Sequence, residues 1–205
     1  MTSTTVTPFN QRLRIGILRL TFLILLPVIL FSDSAWHEPV WVFEVFEAVG
    51  MSLIIVGVLG RLWSILYIGG RKNAEIMQDG PYSVCRHPLY LFSTLGVIGF
   101  GLMLGSLVLT ATMAILLLAI VNGTAQREEA YLKATFGPAY EAYAARVPRF
   151  WPRVSNFRTT SEISVSVPTL RSNLRDALVF LVLIPVAEFI EYVHEAAILP
   201  TFMIW

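Results

Sequence analysis

The sequence predicts an all-α, polytopic membrane protein with about five transmembrane helices, two of which form a helical hairpin. Of its 205 residues, 56% are hydrophobic and only 14% are charged, whereas a soluble domain carries about 25% charged residues. Every lysine and arginine falls within residues 12–19, 61–86 or 127–175. Because basic residues collect in cytoplasmic loops, these three groups are expected on the cytoplasmic side.

The first predicted crossing, residues 13–31, follows Arg12 and Arg14. A basic start before an apolar run also occurs in signal peptides, but this run is too long for a signal core and lacks a good small-residue cleavage site. We therefore expect a retained anchor with a cytoplasmic N-terminus. The second crossing, residues 41–60, is expected to continue as a helix past the bilayer, with Arg61 reaching the interface.

The hairpin is predicted from a long stretch without charge. A membrane helix needs about 20 residues to cross the hydrocarbon layer. Residues 91–126 carry no charged side chain, so they are expected to cross twice, as helices 89–105 and 107–124 joined tightly near 101–106. The hairpin returns the chain to the side of the membrane from which it entered.

The last predicted crossing is residues 176–194, and a segment rich in Ser and Thr, with Pro168, precedes it. Five crossings place the C-terminus on the side opposite the N-terminus. No strands are expected, since lipid accepts only helices or closed barrels. We expect a single integral membrane domain over residues 1–205, with two N-terminal helices (13–70), a core containing the hairpin (71–153), a linker (154–175) and a C-terminal helix (176–205).

Charged motifs flank the hairpin at both ends. Gly80-Pro81-Tyr82 leads into Arg86-His87-Pro88-Leu89-Tyr90 before it, and Arg127-Glu128-Glu129 follows it. The hairpin geometry brings an arginine, a histidine and two glutamates to one interface. Pro88 suits the first turn of a helix, and the free N–H groups of that turn can bind an anion.

These motifs resemble those of the isoprenylcysteine carboxyl methyltransferase and phospholipid methyltransferase superfamily. The resemblance covers about residues 70–152 and includes Phe136-Gly137, Tyr140, Tyr143 and Arg146-Val147-Pro148. It implies a membrane methyltransferase that uses S-adenosyl-L-methionine, with residues 71–153 as the methyltransferase core and a cytoplasmic cofactor-binding segment. The Gly-rich turn of soluble nucleotide-binding folds is not found in the sequence.

The resemblance also implies roles for individual residues. Arg86 and one of the paired acids, with Glu129 preferred, are the expected catalytic residues. Arg86 would orient a carboxylate acceptor through its two-pronged donor geometry. With an amine acceptor, the glutamate would serve as a base.

Cofactor binding is expected from neighbouring side chains. His87 and Tyr90 lie at the start of the third membrane helix and can hydrogen-bond the carboxylate of the cofactor's methionine part. Glu128 or Glu129 can bind its ammonium group, and Tyr82 can contact adenine.

The acceptor is expected to be lipid-embedded or amphipathic, with the carboxylate of a prenylcysteine-like substrate favoured. Phospholipid amines and small thiols or acids are alternatives, and an NADPH-dependent, sterol-reductase-like enzyme is a more distant one. The expected partners are the lipid bilayer and this acceptor, with no nucleic acid and no metal; the oligomeric state is not predicted. A channel is disfavoured because the hairpin is too apolar to line an aqueous path.

Two further features favour plain structural interpretations. Cys85 is expected to be a packing residue, since methyl transfer needs no covalent step. Glu188, Glu191 and His194 lie on one face of the last helix, but the second acid–histidine pair of a di-iron site is missing. They are expected to line the outer ends of helices.

Overall fold

The computed structural model describes residues 11–36, 39–68 and 75–204, and within these ranges the chain is mainly α-helical. The helices and strands, in chain order, are α1 (Gln11–Phe31), β1 (Ser32–Ser34), α2 (Val40–Ile68), α3 (Pro81–Val84), α4 (Pro88–Met103), α5 (Leu107–Phe136), α6 (Pro138–Arg146), a 3₁₀ turn (Val154–Asn156), α7 (Val167–Glu195) and β2 (Phe202–Ile204).

Five of these helices are apolar. In the described part of the chain, α2, α5 and α7 are long and apolar enough to cross a membrane, while α1 and α4 are shorter apolar helices. The predicted all-α, polytopic membrane fold is thus confirmed, and the protein is an integral membrane protein. Buried residues from five helices share one hydrophobic core: Ile29, Ile54, Phe100, Met103, Leu109, Met113, Ala187 and Ile190.

Helix α4 packs most extensively against α2, and its backbone comes very close to that of α2. A Cβ atom added to Gly50 would lie 2.5 Å from the carbonyl oxygen of Gly99, and one added to Gly99 would lie 2.4 Å from the carbonyl oxygen of Gly50. Small residues permit such close approach between membrane helices. The fit of α2 against α4 positions the start of α4, where the charged motifs lie.

The hairpin of α4 and α5 turns within three residues, 104–106, as predicted. Gly105 has a φ of +65°, a conformation that other residues rarely adopt. Ser106 caps α5 by accepting a hydrogen bond from the backbone N–H of Leu109 at 3.2 Å. The short turn makes the helices antiparallel neighbours, so the start of α4 and the end of α5 lie on one side.

The opposite side carries a small sheet that the sequence analysis did not predict. Strands β1 and β2 pair in parallel, with Ser32 opposite Phe202 and Ser34 opposite Ile204. The side chain of Ser34 also donates to the carbonyl oxygen of Gly105 at 2.8 Å. The expectation of no strands was therefore wrong at this place. The strands lie beyond the helix ends, where backbone groups have lost their helical partners.

Two helix boundaries differ from the prediction. Helix α5 continues without a break past the predicted end of its crossing at residue 124 and ends at Phe136. Helix α7 begins at Val167, ahead of the predicted start at 176, and the linker is shorter than expected. Pro168 occupies the first turn of α7, where its missing N–H costs nothing. The predicted boundary at residue 70 lies outside the described residues.

Arg61 also differs from its predicted role. Its guanidinium group donates to the hydroxyl of Ser93 on α4 and lies 5.2 Å from the ring centroid of Phe180 on α7. It therefore joins three helices instead of only reaching towards the interface.

Candidate active site

Residues 147–158, which follow α6 and which we call the strap, are hydrogen-bonded to the loop that leads into α4. Two prolines favour an extended backbone here, and the strap runs beside the chain before α4. Four backbone hydrogen bonds join the two segments: Arg86 N to Pro148 O (2.9 Å), His87 N to Arg149 O (3.2 Å), Arg153 N to Val84 O (3.0 Å) and Gly80 N to Arg158 O (2.8 Å).

The carboxylate of Glu129 lies at the centre of a cluster of cationic and polar donors. Glu129 is buried near the end of α5, with 9% of its surface exposed. Arg149 binds both carboxylate oxygens, with Nη2 2.6 Å from Oε2 and Nε 3.0 Å from Oε1. Arg86 Nη1 lies 3.2 Å and His87 Nε2 3.0 Å from Oε1. These donors compensate the burial of the charge.

The neighbouring carboxylate, that of Glu128, is more exposed. It accepts a hydrogen bond from the hydroxyl of Tyr90 at 3.0 Å, and His87 Nδ1 lies 3.7 Å from the same oxygen, Oε2. The His87 ring is stacked on the Tyr90 ring, with centroids 5.4 Å apart, and also touches Phe150. A carboxylate only accepts hydrogen bonds, so Nε2 of His87 carries the proton it shares with Glu129.

Two buried polar atoms beside this cluster have no hydrogen-bond partner among the described residues: the hydroxyl of Tyr82 and Nε of Arg86. Burial raises the pKa of Tyr82 well above its ordinary value, so the hydroxyl stays protonated. The hydroxyl of Tyr143 donates to the backbone carbonyl of Tyr82 at 2.8 Å and fixes its position. Buried polar groups are almost always paired, and these two atoms fit a ligand that supplies acceptors.

Burial and pairing shift the pKa of several groups beside the cluster. Burial raises the pKa of Cys85 to about 12, so its thiolate is not populated at neutral pH. Burial likewise raises the pKa of Tyr140 and of Tyr143. The hydrogen bond to Glu129 raises the pKa of Arg149. Cys85 is fully packed, as the sequence suggested, and is not an activated nucleophile.

The structure brings most of the predicted site residues into one network: Arg86, His87, Tyr90, Glu128 and Glu129. Tyr82 lies beside this network and does not hydrogen-bond to it through its hydroxyl. Sequence reasoning missed Arg149 as a member of the site. It also missed Asn122, whose Oδ1 lies 3.3 Å from Arg149 Nη1. Asn122 precedes Glu129 by seven residues, two helical turns, and that spacing was the available signal.

Glu191 and His194, two of the residues singled out on the last helix, lie away from this network, near β1. His194 Nε2 lies 2.9 Å from the carbonyl oxygen of Leu30, and its Nδ1 lies 3.8 Å from Asp33. His194 and Glu191 line a cavity of about 20 Å³ near β1. Among the described residues, no group of three or more His, Cys, Asp or Glu side chains could hold a metal ion.

Comparison with known proteins gives matches of two kinds. The family model of phospholipid methyltransferases matches residues 45–139. The cobalt-zinc-cadmium resistance protein CzcN of Cupriavidus metallidurans is 38% identical over 191 residues, 93% of this chain and 88% of that protein. The nickel-cobalt-cadmium resistance protein NccN of Alcaligenes xylosoxydans xylosoxydans is 38% identical over 96% of this chain and 91% of that protein.

A more distant relative carries an enzymatic name. The protein-S-isoprenylcysteine O-methyltransferase of Schizosaccharomyces pombe is 26% identical over 124 residues, 56% of this chain and 52% of that protein. No solved structure matches this chain significantly.

Proposed function

Because this chain belongs to the superfamily of isoprenylcysteine carboxyl methyltransferases and phospholipid methyltransferases, which are membrane enzymes, we propose that it transfers a methyl group from S-adenosylmethionine to a lipid-embedded or amphipathic acceptor. This proposal rests on the Glu129 cluster, in which the end of α5 meets the residues that lead into α4. Two buried polar atoms without a described partner lie beside it. We propose that this site faces the cytoplasm and that the C-terminus lies across the membrane.

The binding of the cofactor is assigned to the start of α4 and to Glu128. When bound, S-adenosylmethionine supplies a sulfonium methyl group as the electrophile. The first turn of α4 has no side-chain cap. Pro88 has no N–H, and the N–H groups of Tyr90 and Leu91 donate to the carbonyl oxygen of His87. The N–H of Leu89 is therefore the backbone group of this turn that suits the carboxylate of the methionine part. His87 and Tyr90 hold the paired acids in place. Glu128, the more exposed of the two, suits the ammonium group, and the hydroxyl of Tyr82 suits the adenosine part.

The acceptor end is assigned to Arg86 and Glu129. Glu129 contacts two guanidinium groups and a histidine, and a carboxylate so compensated is a weak base. An amine acceptor needs a base to remove its proton, whereas a carboxylate does not. This contrast favours a carboxylate acceptor, in keeping with a prenylcysteine-like substrate. Arg86, whose Nε has no described hydrogen-bond partner, would bind that carboxylate.

Methyl transfer from a sulfonium group depends more on the alignment of the two reactants than on acid or base catalysis. Arg86 would hold the acceptor oxygen in line with the sulfonium methyl group that the cofactor would supply. The carbon–oxygen bond would form as the carbon–sulfur bond breaks, and S-adenosylhomocysteine, with a neutral sulfur, would be the second product. Alignment of two reactants can contribute about 7–11 kcal/mol to the rate enhancement. In this protein, Glu129 would position Arg86 and Arg149 for that alignment.

The proposal is tested by titrating purified protein with S-adenosylhomocysteine in a calorimeter. Glu128→Gln should weaken binding about tenfold, since a hydrogen bond to a charged group contributes about 1.5–3 kcal/mol. Glu141→Gln is the matched control, because Glu141 is exposed and pairs with Lys133 on the surface. A thermal shift with NADPH, and none with S-adenosylmethionine or its product, would support the reductase alternative instead.

The acceptor is identified by a tritium-labelled methyl transfer assay over membrane extracts. Label in an acidic lipid or a lipidated peptide, released by mild base as a methyl ester would be, is the expected result. Base-stable label in phospholipid amines would assign an amine acceptor.

A second proposal concerns biological context. Two relatives that align over nearly the whole chain are named as metal resistance proteins, and we propose that this protein also contributes to metal resistance, by methylating a membrane component. In a strain that lacks the gene, growth in cobalt, zinc or cadmium should be restored by the wild type and not by Glu129→Gln. Full protection by a Glu129→Gln protein that cannot transfer methyl groups would remove this proposal.

A further inference from the structure

The strap exposes apolar and basic side chains together. Trp151 is 87% exposed and Val154 is 73% exposed, and Phe157 is also exposed. Residues 142–161 contain four arginines and no acidic residue. Large exposed apolar side chains on one short segment mark an interaction site. Of the four arginines, Arg149 pairs with Glu129 and Arg158 lies 3.9 Å from Asp79, whereas Arg153 is exposed beside Trp151 and favours an anionic partner.

The position of the strap identifies that partner. The ring of Phe157 packs against Trp63 of α2, with centroids 6.0 Å apart. Just after the strap, the hydroxyl of Thr159 lies 2.7 Å from that of Tyr67, near the end of α2. Since α2 crosses the membrane, the strap lies where α2 leaves the bilayer. Aromatic rings and arginines are the side chains that favour the headgroup region.

The strap is also tied to the site. Its backbone accepts hydrogen bonds from Arg86 and His87 at 2.9 and 3.2 Å. Its own Arg149 binds both oxygens of Glu129. The exposed Trp151 and Arg153 follow Arg149 by two and four residues. A contact that orders the exposed part of the strap will therefore restrict the three cationic or polar donors around Glu129.

We propose that the strap docks on anionic lipid headgroups of the adjacent leaflet, and that docking orders the Glu129 cluster and raises the rate of methyl transfer. The effect on rate depends on the proposed function, whereas docking itself does not. Two measurements therefore separate failure of the inference from failure of the function.

Docking is measured by fluorescence quenching in lipid nanodiscs. Brominated phosphatidylglycerol quenches tryptophans that it touches, and the signal of Trp151 is the difference between the wild type and Trp151→Phe. Stronger quenching of this difference signal by brominated phosphatidylglycerol than by brominated phosphatidylcholine is the expected result. Equal quenching by the two lipids, or none, would overturn the docking proposal whether or not the protein is an enzyme.

Coupling is measured by activity in the same nanodiscs. Anionic lipid should raise wild-type turnover by at most about fivefold, which is the factor reached when the attraction of one exposed arginine to the surface, about 1 kcal/mol, is used entirely to order the cluster. The double variant Trp151→Ala, Arg153→Gln should keep the activity seen in phosphatidylcholine and lose the stimulation. Arg175→Gln, which removes an exposed arginine from α7, is the control and should be stimulated like the wild type.

The inference is overturned if the double variant is stimulated as strongly as the wild type. It is equally overturned if soluble glycerophosphoglycerol stimulates without a bilayer, because the strap would then bind a free phosphate. Circular dichroism and thermal unfolding of each variant show whether it is folded. If folded wild-type protein docks on anionic lipid but transfers methyl groups to no acceptor, the proposed function is wrong and the docking proposal is still supported.

Discussion

The guanidinium group of Arg149 donates two hydrogen bonds to the carboxylate of Glu129, from Nη2 to Oε2 at 2.6 Å and from Nε to Oε1 at 3.0 Å. The two residues come from different segments, the strap and α5, so this pair fastens the strap over the end of the hairpin. The paired geometry belongs to arginine alone, because the ammonium group of lysine is a point charge.

Arg149→Lys should therefore lower turnover about tenfold or more, although the charge is kept, since one hydrogen bond to a charged group contributes about 1.5–3 kcal/mol. The measurement is the methyl transfer rate at saturating cofactor. Arg146→Lys is the control, because Arg146 is exposed and bonds to Gln78 away from the cluster. Equal losses in both variants would contradict a specific role for the paired geometry.

Substitution of Glu128 and substitution of Glu129 should have different effects on turnover and on cofactor affinity. Glu129→Gln removes the charge that compensates Arg86 and Arg149, so turnover should fall at least a hundredfold while the affinity for S-adenosylhomocysteine changes little; about 2.7 kcal/mol corresponds to that factor. Glu128→Gln should do the reverse, weakening affinity more than turnover. Calorimetry and single-turnover kinetics on both variants check the pattern, and an exchange of the two outcomes would reassign the roles.

Tyr82→Phe should leave the fold as stable as the wild type or stabilise it slightly. Its buried hydroxyl has no described partner, and removing an unpaired buried polar group relieves its desolvation cost. The affinity for S-adenosylhomocysteine should fall about fivefold if that hydroxyl binds the cofactor.

Tyr143→Phe is the contrasting variant for this test. It deletes the hydrogen bond to the carbonyl oxygen of Tyr82 and should lower the free energy of unfolding by about 1 kcal/mol. Thermal unfolding and calorimetry measured side by side separate the two tyrosines. Loss of stability in Tyr82→Phe would show that its hydroxyl has a structural partner.

Gly99→Ala should lower thermal stability in detergent and reduce activity, because the new methyl group would meet the carbonyl oxygen of Gly50 at 2.4 Å. Overpacking of this kind costs about 1–3 kcal/mol. Gly123→Ala is the matched control, since nothing lies within 4 Å of its added Cβ. It should be neutral or stabilising, as alanine favours a helix by about 1 kcal/mol over glycine. Similar melting temperatures for both variants would argue against tight α2–α4 packing.

The hairpin and the meeting of its charged ends could be predicted from sequence because few physical quantities decide them. Residues 91–126 without charge and a fixed helical rise leave one arrangement, out and back. That arrangement brings His87 close to Glu129, and in the structure His87 Nε2 lies 3.0 Å from Glu129 Oε1.

Other contacts were beyond such reasoning. Arg149 reaches Glu129 after the break between α5 and α6 at Gly137, whose φ is +52°, and a local pattern does not give the direction in which α6 leaves that break. The three-residue strands are too short to show alternation. The start of α7 was placed too late because Ser and Thr before Pro168 also suit a loop, and composition does not distinguish a loop from a capped helix start.

The pairing of β1 with β2 has a consequence for the final helix. Only 17% of the apolar window of α7 is buried within the chain, so most of its apolar surface faces away from the other helices. The parallel pairing of Ser32–Ser34 with Phe202–Ile204 joins the segment that precedes α2 to the segment that follows α7. The backbone hydrogen bonds of this pairing restrict the movement of the C-terminal end of α7. Truncation after Glu195 would remove this pairing and leave α7 held by its N-terminal connection and by its packing against α2 and α4.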